Sequence, residues 1–199
     1  MEKTAIVTDS NSGISQEKAE KYGVYVLPMP FYIDDELYLE GQTITHDEFF
    51  RKQKGGSMIY TSQPNPYDVT QLWEHVLETY EELLYIPMSS SLSSSYETAA
   101  AVSRQYQGRV IVADLGRVSV TQKYAVLEAR RMALQGLCAS EICRRLEAVK
   151  DECIIYLTVD NLKYLKQSGR ISASAAVVGG MLNIKPLLYL QSGKIEAAQ

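Results

Sequence analysis

The chain has 199 residues, of which 46% are hydrophobic, and its formal net charge is −4. This length suffices for one large domain, or for one domain and part of a second. Lysine and arginine are dispersed along the chain, which argues against a nucleic-acid partner. No apolar run approaches the length of a membrane span, so at most transient membrane contact is expected.

The amino terminus and the cysteines both favour a cytoplasmic location. Residues 1–6 lead directly into a predicted strand and do not resemble a signal peptide. The three cysteines, Cys138, Cys143 and Cys153, are odd in number and lack the spacing of metal ligands. Reduced thiols packed in helices and strands are the simplest account of them.

The first region, residues 1–150, alternates short apolar runs with amphipathic stretches. Strands are predicted at residues 4–8, 24–29, 83–88 and 109–113, with a hairpin over residues 31–39. Helices are predicted at residues 15–22, 45–52, 66–82, 96–106, 119–135 and 140–149, with Ser15 and Thr45 as N-caps of the first two. The alternation predicts an α/β fold with a parallel sheet flanked by helices.

The second region, residues 151–199, has a different pattern. A strand is predicted at residues 153–158, a short helix at 162–166, a turn at 169–172, a small-residue helix at 174–182 and an antiparallel hairpin at 185–190 and 194–196. So few elements cannot close a core of their own. We therefore expect an incomplete second α/β domain.

A serine-rich run is the most distinctive local feature. Six of the seven residues from Ser89 to Ser95 are serine, and the run lies between a predicted strand and a predicted helix. The start of a helix offers free N–H groups and a favourable dipole to an anion, and hydroxyls add rotatable donors. The run is therefore a candidate cradle for a carboxylate. A simple helix cap or a flexible linker are the alternatives.

Two further groups of polar residues could share that site. Thr61-Ser62-Gln63-Pro64 is a second hydroxyl-rich turn before a helix. Asp9, Asp114 and Asp160 each follow a predicted strand, where ligand sites of parallel sheets lie. Asp9, flanked by Ser10, is the best functional candidate among them. Aspartate is also a common turn and capping residue, so the structural interpretation stays open for each.

The sequence offers many neutral donors but no evident catalytic base. A serine nucleophile needs a base, and the two histidines, His46 and His75, lie at the start of one helix and inside another. Neither a nucleophile elbow, nor a nucleotide fingerprint, nor a cluster of metal ligands is present. This composition suits binding an anion better than breaking a bond.

Four segments taken together carry a family resemblance. They are Thr8-Asp9-Ser10, Thr61-Ser62-Gln63-Pro64, Ser90-Ser91-Leu92-Ser93, and the pair Gly169-Arg170-Ile171-Ser172 with Asn183-Ile184-Lys185-Pro186. Each is weak alone, but their order and spacing resemble the DegV family, whose members include the FakB fatty-acid-binding proteins. The resemblance covers the whole chain.

The resemblance implies a DegV-like fold in which residues 1–150 form the amino-terminal domain and 151–199 begin a lipid-enclosing domain. It implies a long-chain fatty acid as ligand, with no cofactor or metal. Thr61 and Ser93 match the family residues that hold the carboxylate, and Ser62 and Ser94 join them in the predicted site. Asp9 and Ser10 are predicted neighbours of it. Such bacterial proteins are carriers rather than enzymes, and they present the carboxylate to a separate FakA-type kinase for phospholipid synthesis.

Other residues are assigned to the acyl chain and to a partner. The predicted acyl-chain contacts are Phe31, Ile171, Val178, Met181, Leu182 and Ile184, with ordinary core as the alternative for each. Arg170, Lys163 and Lys166 form a predicted basic docking edge, or else a solvated helix face. Two other functions stay open, a serine-dependent acyl hydrolase and a protein-interaction module without a small ligand.

The sequence departs from the family pattern near the expected ligand mouth. Ser94-Ser95 stand where Gly-Thr is usual, Leu115 where serine follows the strand, and Thr121-Gln122 where a helix usually opens with glycines. Family members also continue beyond Glu196 with a segment that supplies a histidine near the carboxylate, and neither histidine here is expected to replace it. We expect this apparently truncated form to bind fatty acid weakly and to expose an apolar patch that promotes self-association.

Overall fold

The computed structural model of the protein describes residues 3–159, 162–171, 187–191 and 193–197. The predicted helix at residues 174–182 lies outside these residues. So do Asp160 and four of the predicted acyl-chain contacts, Val178, Met181, Leu182 and Ile184.

The described elements follow the predicted order. The strands are β1 (Thr4–Asp9), β2 (Tyr25–Leu27), β3 (Pro30–Ile33), β4 (Glu36–Leu39), β5 (Ile59–Thr61), β6 (Glu82–Ile86), β7 (Val110–Val112), β8 (Ile155–Thr158), β9 (Leu187–Gln191) and β10 (Lys194–Ala197). The helices are α1 (Gln16–Tyr22), α2 (His46–Lys54), α3 (Pro66–Leu77), α4 (Ser95–Ser103), α5 (Ser119–Leu134), α6 (Ala139–Glu147) and α7 (Lys163–Gln167). Ser15 and Thr45 cap α1 and α2, as predicted.

The main sheet has the order β2-β1-β6-β7 with all neighbours parallel, which confirms the predicted parallel α/β fold. Every residue of β1 is buried because helices cover both faces of the sheet. Ile6 and Leu84 face a core built with α1, α5 and α6. Val7 and Tyr85, one residue further along, face a second core that includes Trp73 of α3.

A second sheet of order β4-β3-β5 is antiparallel. Its hairpin turns at Asp34 and Asp35, both in the left-handed region, as a two-residue turn of type I′ requires. The sequence predicted this hairpin but missed β5. That strand has only three residues, and its pairing of Ile59 with Ile33 and of Thr61 with Phe31 defines it.

The predicted helix at residues 66–82 was wrong in its length, because α3 ends at Leu77. Glu82 belongs instead to β6 and pairs with Thr4. Its carboxylate accepts hydrogen bonds from the Thr4 hydroxyl at 2.8 Å and from the Ala139 N–H at 3.1 Å. These long-range bonds hold Glu82 in the strand, and they override a local pattern that continues the helix.

The third sheet has the order β10-β9-β8 and is antiparallel, which confirms the predicted terminal hairpin. Leu188 is fully buried against Ile171 and partly buried neighbours that include Leu165 and Ile195. None of the helices in the described part of the chain combines the length and apolar character that crossing a membrane requires.

Candidate functional site

The serine loop, defined as residues 89–94, is an ordered turn rather than a flexible linker. The Ser89 N–H donates to the Arg117 carbonyl at 2.8 Å, which anchors the start of the loop. The N–H groups of Leu92 and Ser93 both donate to the Ser89 carbonyl, at 3.0 and 3.2 Å. The loop leads directly into α4, as expected from a strand-to-helix turn.

Asp114 holds the loop from the neighbouring strand. Its carboxylate accepts hydrogen bonds from the Ser90 hydroxyl, from the Ser90 N–H at 3.3 Å and from the Gly116 N–H at 3.1 Å. This is the structural role that aspartate commonly has in turns. The Ser93 hydroxyl instead lies 2.7 Å from that of Ser95.

The Thr61–Pro64 turn lies beside the serine loop. The Thr98 hydroxyl of α4 donates to the Gln63 side chain at 3.0 Å, and the Ser62 N–H donates to the Pro30 carbonyl at 3.2 Å. The first bond ties the turn to the helix that follows the loop, and the second ties it to β3. Two turns that are distant in the sequence therefore face the same space.

That space is a cavity of about 890 Å³. Its polar lining includes Thr61, Ser62, Ser93 and Ser94, the four residues predicted to hold a carboxylate. Its apolar lining includes Met29, Phe31, Ile44, Phe49, Phe50, Ile59, Leu92, Leu165 and Ile195. A mostly apolar cleft of this size with a few convergent polar groups is typical of a small-molecule site.

Two predicted contacts of the cavity differ in their placement. Phe31 lines the wall, and it packs edge-on against Phe49 with ring centroids 5.5 Å apart. Ile171 is buried in the core of the third sheet with Leu188. The ordinary-core interpretation fits Ile171, whereas Phe31 is available to a ligand.

Arg170 lies on the cavity wall and contacts the serine loop. Its Nε donates to the Leu92 carbonyl at 3.1 Å, and its Nη1 donates to the Ser168 carbonyl at 2.5 Å. Of the other two residues of the predicted docking edge, Lys163 begins α7 and Lys166 is exposed on it. Arg170 therefore links the second region of the chain to the loop.

Asp9 lies below the site rather than on its wall. Its buried carboxylate accepts hydrogen bonds from the N–H groups of Asn11 at 3.0 Å and Met88 at 2.8 Å, and from Gln122 Nε2 at 3.1 Å. Burial raises the pKa of Asp9, and these hydrogen bonds oppose the rise. Asp9 thus joins the end of β1 to the end of β6.

Sequence reasoning missed several residues of the site. Gln122 is fully buried, and its side chain contacts Thr8 and Asp9. Its sequence signal is a polar residue on the same face of α5 as the apolar residues Ala125, Val126 and Ala129. Asn11, Glu40 and His46 all line the cavity. His46 is not expected in the site from its position after the N-cap Thr45, and the short β-bridge between Glu40 and Ile44 that precedes α2 is invisible in the sequence.

We predict that Asp9→Asn changes how stability depends on pH. An acid whose pKa is raised in the folded protein stabilises it most below its unfolded pKa, and this contribution is lost as the pH rises through the folded pKa. As the pH rises above about 4, the parent should therefore lose unfolding free energy relative to Asp9→Asn until the folded pKa is passed, since the unperturbed pKa is 3.8. Denaturant titrations of both proteins across this range measure the difference.

The matched control is Asp68→Asn, which alters an exposed carboxylate in the first turn of α3. The Asp68→Asn series measures the pH dependence that follows from removing an exposed carboxylate. A stability difference for Asp9→Asn that stays flat as the pH rises would show that burial does not hold its carboxylate apart from the solvent.

The turn between β9 and β10 also supports the serine loop. Gly193 is buried in the left-handed region with a φ of 79°, and an added Cβ would overlap the Ser89 and Ser91 hydroxyls. We predict that Gly193→Ala destabilises the protein by roughly 2–4 kcal/mol, from backbone strain plus the overlap. Thermal or denaturant unfolding measures this loss.

Gly108→Ala is the control for backbone strain, because Gly108 has a φ of 87° and open space around its Cβ position. It should cost only about 1 kcal/mol. Equal losses of unfolding free energy in the two variants would mean that a Cβ at position 193 does not overlap the serine loop.

The described residues contain no group of three or more His, Cys, Asp or Glu side chains placed to hold a metal ion. The parallel sheet and the cavity beyond its strand ends, with hydroxyl donors in one part and apolar walls elsewhere, define an α/β protein shaped for an amphiphilic ligand.

The comparison with known proteins places the chain in a family. The profile described as "Uncharacterised protein, DegV family" matches residues 3–199, and the chain belongs to the DegV family. A DegV domain-containing protein of Caldanaerobacter subterraneus subsp. tengcongensis is 31% identical over 197 residues, which make up 98% of this chain and 70% of that relative.

Two solved structures match the fold closely. A fatty-acid-binding DegV family protein from Thermus thermophilus has a TM-score of 0.89 at 31% identity, over 99% of this chain and 71% of that one. A stearic acid-binding protein from Eubacterium ventriosum has a TM-score of 0.87 at 27% identity, over 98% of this chain and 70% of that one.

Proposed function

We propose that this protein binds a long-chain fatty acid, with the carboxylate at Thr61, Ser62, Ser93 and Ser94 and the acyl chain along the apolar wall. The observation that carries the proposal is the convergence of two hydroxyl-bearing turns on one largely apolar cavity. The fatty-acid binding of the relatives from Thermus thermophilus and Eubacterium ventriosum supports it.

The energetics of such a ligand agree with the composition of the wall. Each buried methylene contributes roughly 0.8 kcal/mol, so about a dozen contribute on the order of 10 kcal/mol before the cost of association. Hydrogen bonds from hydroxyls to a charged carboxylate add roughly 1.5–3 kcal/mol each, before desolvation. The apolar wall therefore supplies most of the affinity, and the hydroxyls fix the orientation.

Binding fits the hydroxyls better than hydrolysis does. A serine nucleophile needs a base to activate it. The hydroxyl of Ser90 is bonded to Asp114, and that of Ser93 to another serine. Neutral donors of this kind hold a carboxylate without reacting with it.

We predict that Ser93→Ala weakens fatty-acid binding by roughly 1–3 kcal/mol, because a bond to the ligand carboxylate is lost. Thr61→Ala should have an effect of similar size. Isothermal titration of delipidated protein with hexadecanoate measures the affinity. Lipid extraction and mass spectrometry of the purified, denatured protein identify the acid bound in the cell.

Ser91→Ala is the matched control, since Ser91 is an exposed residue of the same loop and does not line the cavity. It should bind hexadecanoate like the parent. Unchanged affinity in a folded Ser93→Ala variant would exclude Ser93 from the carboxylate site.

The proposal extends to the fate of the bound acid. We infer a carrier that presents the carboxylate to a separate FakA-type kinase, with Arg170, Lys163 and Lys166 at the docking edge. Exposed Lys166 and the position of Arg170 beside the loop support this assignment. A cytoplasmic location, favoured by three free cysteines among the described residues, is part of the same proposal.

The docking edge predicts a separation of two effects. With saturating fatty acid, Lys166→Ala should slow acyl phosphorylation by a FakA-type kinase severalfold and leave the fatty-acid affinity unchanged. Arg170→Ala should lower both, because its guanidinium also holds the Leu92 carbonyl. Kinase rates and fatty-acid titrations on the same preparations measure the two quantities.

Lys18→Ala, which removes an exposed lysine from α1, is the control for total charge. It should match the parent in both assays. Parent-like kinase rates for Lys166→Ala and Arg170→Ala would refute the docking edge and leave fatty-acid binding intact.

A further inference from the structure

The cavity wall has a second polar region, which consists of Glu40, Thr45 and His46. Glu40 lies at the opposite edge of the second sheet from the Thr61–Pro64 turn. Thr61 is paired with Phe31 on one edge of β3, and the Glu40 N–H donates to the Met29 carbonyl at 3.1 Å on the other edge. Because paired residues share a face, Thr61, Phe31, Met29 and Glu40 all face the cavity.

Glu40 is held in a fixed place on this wall. The Ser10 hydroxyl donates to its Oε2 at 2.5 Å, and the same hydroxyl accepts the Met29 N–H at 3.0 Å. The Ser10 side chain is thereby committed to Glu40. Within the described ranges, the Glu40 side chain has no cationic partner and no hydrogen bond other than this one.

The spacing between the two polar regions follows from the strand geometry. Glu40 and Thr61 are separated by two strand spacings of about 4.8 Å and by one two-residue step of about 7 Å along the strand, which together give about 12 Å. An extended chain advances roughly 1.2 Å per bond, since a three-bond peptide unit spans at most about 3.6 Å. A fatty acid with its carboxylate at Thr61 and its chain running across the sheet toward Glu40 would reach Glu40 near its tenth carbon.

We propose that Glu40 selects acyl chains that carry a hydrogen-bond donor near mid-chain, and that a hydroxy fatty acid is the preferred ligand. This inference rests on the proposed binding of a fatty acid in this cavity. An ionised carboxylate only accepts hydrogen bonds. A hydroxyl group can donate one to it, whereas a keto group or a second carboxylate cannot. A plain methylene chain would shield the carboxylate from water and leave the Ser10 hydroxyl as its one hydrogen-bond donor among the described residues.

The test compares three ligands that differ only at the tenth carbon. They are octadecanoate, 10-hydroxyoctadecanoate and 10-oxooctadecanoate, measured by displacement of a fluorescent fatty acid. The parent should bind the hydroxy acid about tenfold more tightly than the oxo acid, because a bond to a charged acceptor is gained. In Glu40→Gln the ratio should fall to about one, because an amide both donates and accepts.

Asp47→Asn is the matched control, because it removes a carboxylate next to His46 that does not line the cavity. It should keep the parent ratio. Ser10→Ala should reduce the hydroxy-to-oxo affinity ratio by less than Glu40→Gln does, since it removes the hydrogen bond to Glu40 but keeps the carboxylate.

A hydroxy-to-oxo ratio near one in the parent, or a ratio that survives Glu40→Gln, would overturn the inference and leave the proposed function standing if octadecanoate binds. Binding of the hydroxy acid without octadecanoate, with the ratio lost in Glu40→Gln, would uphold the role of Glu40 and refute the binding of plain fatty acids. Binding of none of the three would refute both.

Discussion

The buried carboxylate of Asp9 is the interaction on which the site depends. Placing a carboxylate out of water is unfavourable unless hydrogen bonds compensate it, and Asp9 receives them from two backbone N–H groups and from Gln122. One of those N–H groups belongs to Met88, just before the serine loop. The strand that ends in Asp9 thereby fixes where the loop begins, and the next residue, Ser10, fixes Glu40. One dipeptide at the end of β1 therefore contacts both the residue that precedes the serine loop and Glu40 on the cavity wall.

Much of this fold could be predicted from the sequence, because local patterns and long-range packing agree there. The buried run of β1, the caps at Ser15 and Thr45 and the turn at Asp34-Asp35 each carry their own chemical signal. The prediction was wrong where a tertiary contact decides. Glu82 leaves a helical pattern because Thr4 and Ala139 bond its carboxylate, and β5 exists through its pairing with β3. Such partners are remote in the chain, so no local window contains them.

The candidate site shows the same division. The two hydroxyl-rich turns could be predicted because each combines an unusual composition with a position before a helix, and the structure brings them to one cavity. Glu40 and His46 could not, since a glutamate in a loop and a histidine at the start of a helix are ordinary in sequence, and only the structure places both on the cavity wall. Gln122 is intermediate, because its place on an apolar helix face is visible and its partner Asp9 is not.

The serine loop is held through both its backbone and its side chains, and this bears on how it can bind a carboxylate. The Arg117 carbonyl accepts a hydrogen bond from the first N–H of the loop, and the Arg170 guanidinium donates to the Leu92 carbonyl. Gly193 packs against serine side chains of the loop. Two of these three contacts come from the second region of the chain, so the position of the loop depends on that region. A loop fixed in this way keeps the Ser93 and Ser94 side chains on the cavity wall. Neutral hydroxyls hold a carboxylate reversibly and without reacting with it, as the proposed binding of a fatty acid requires.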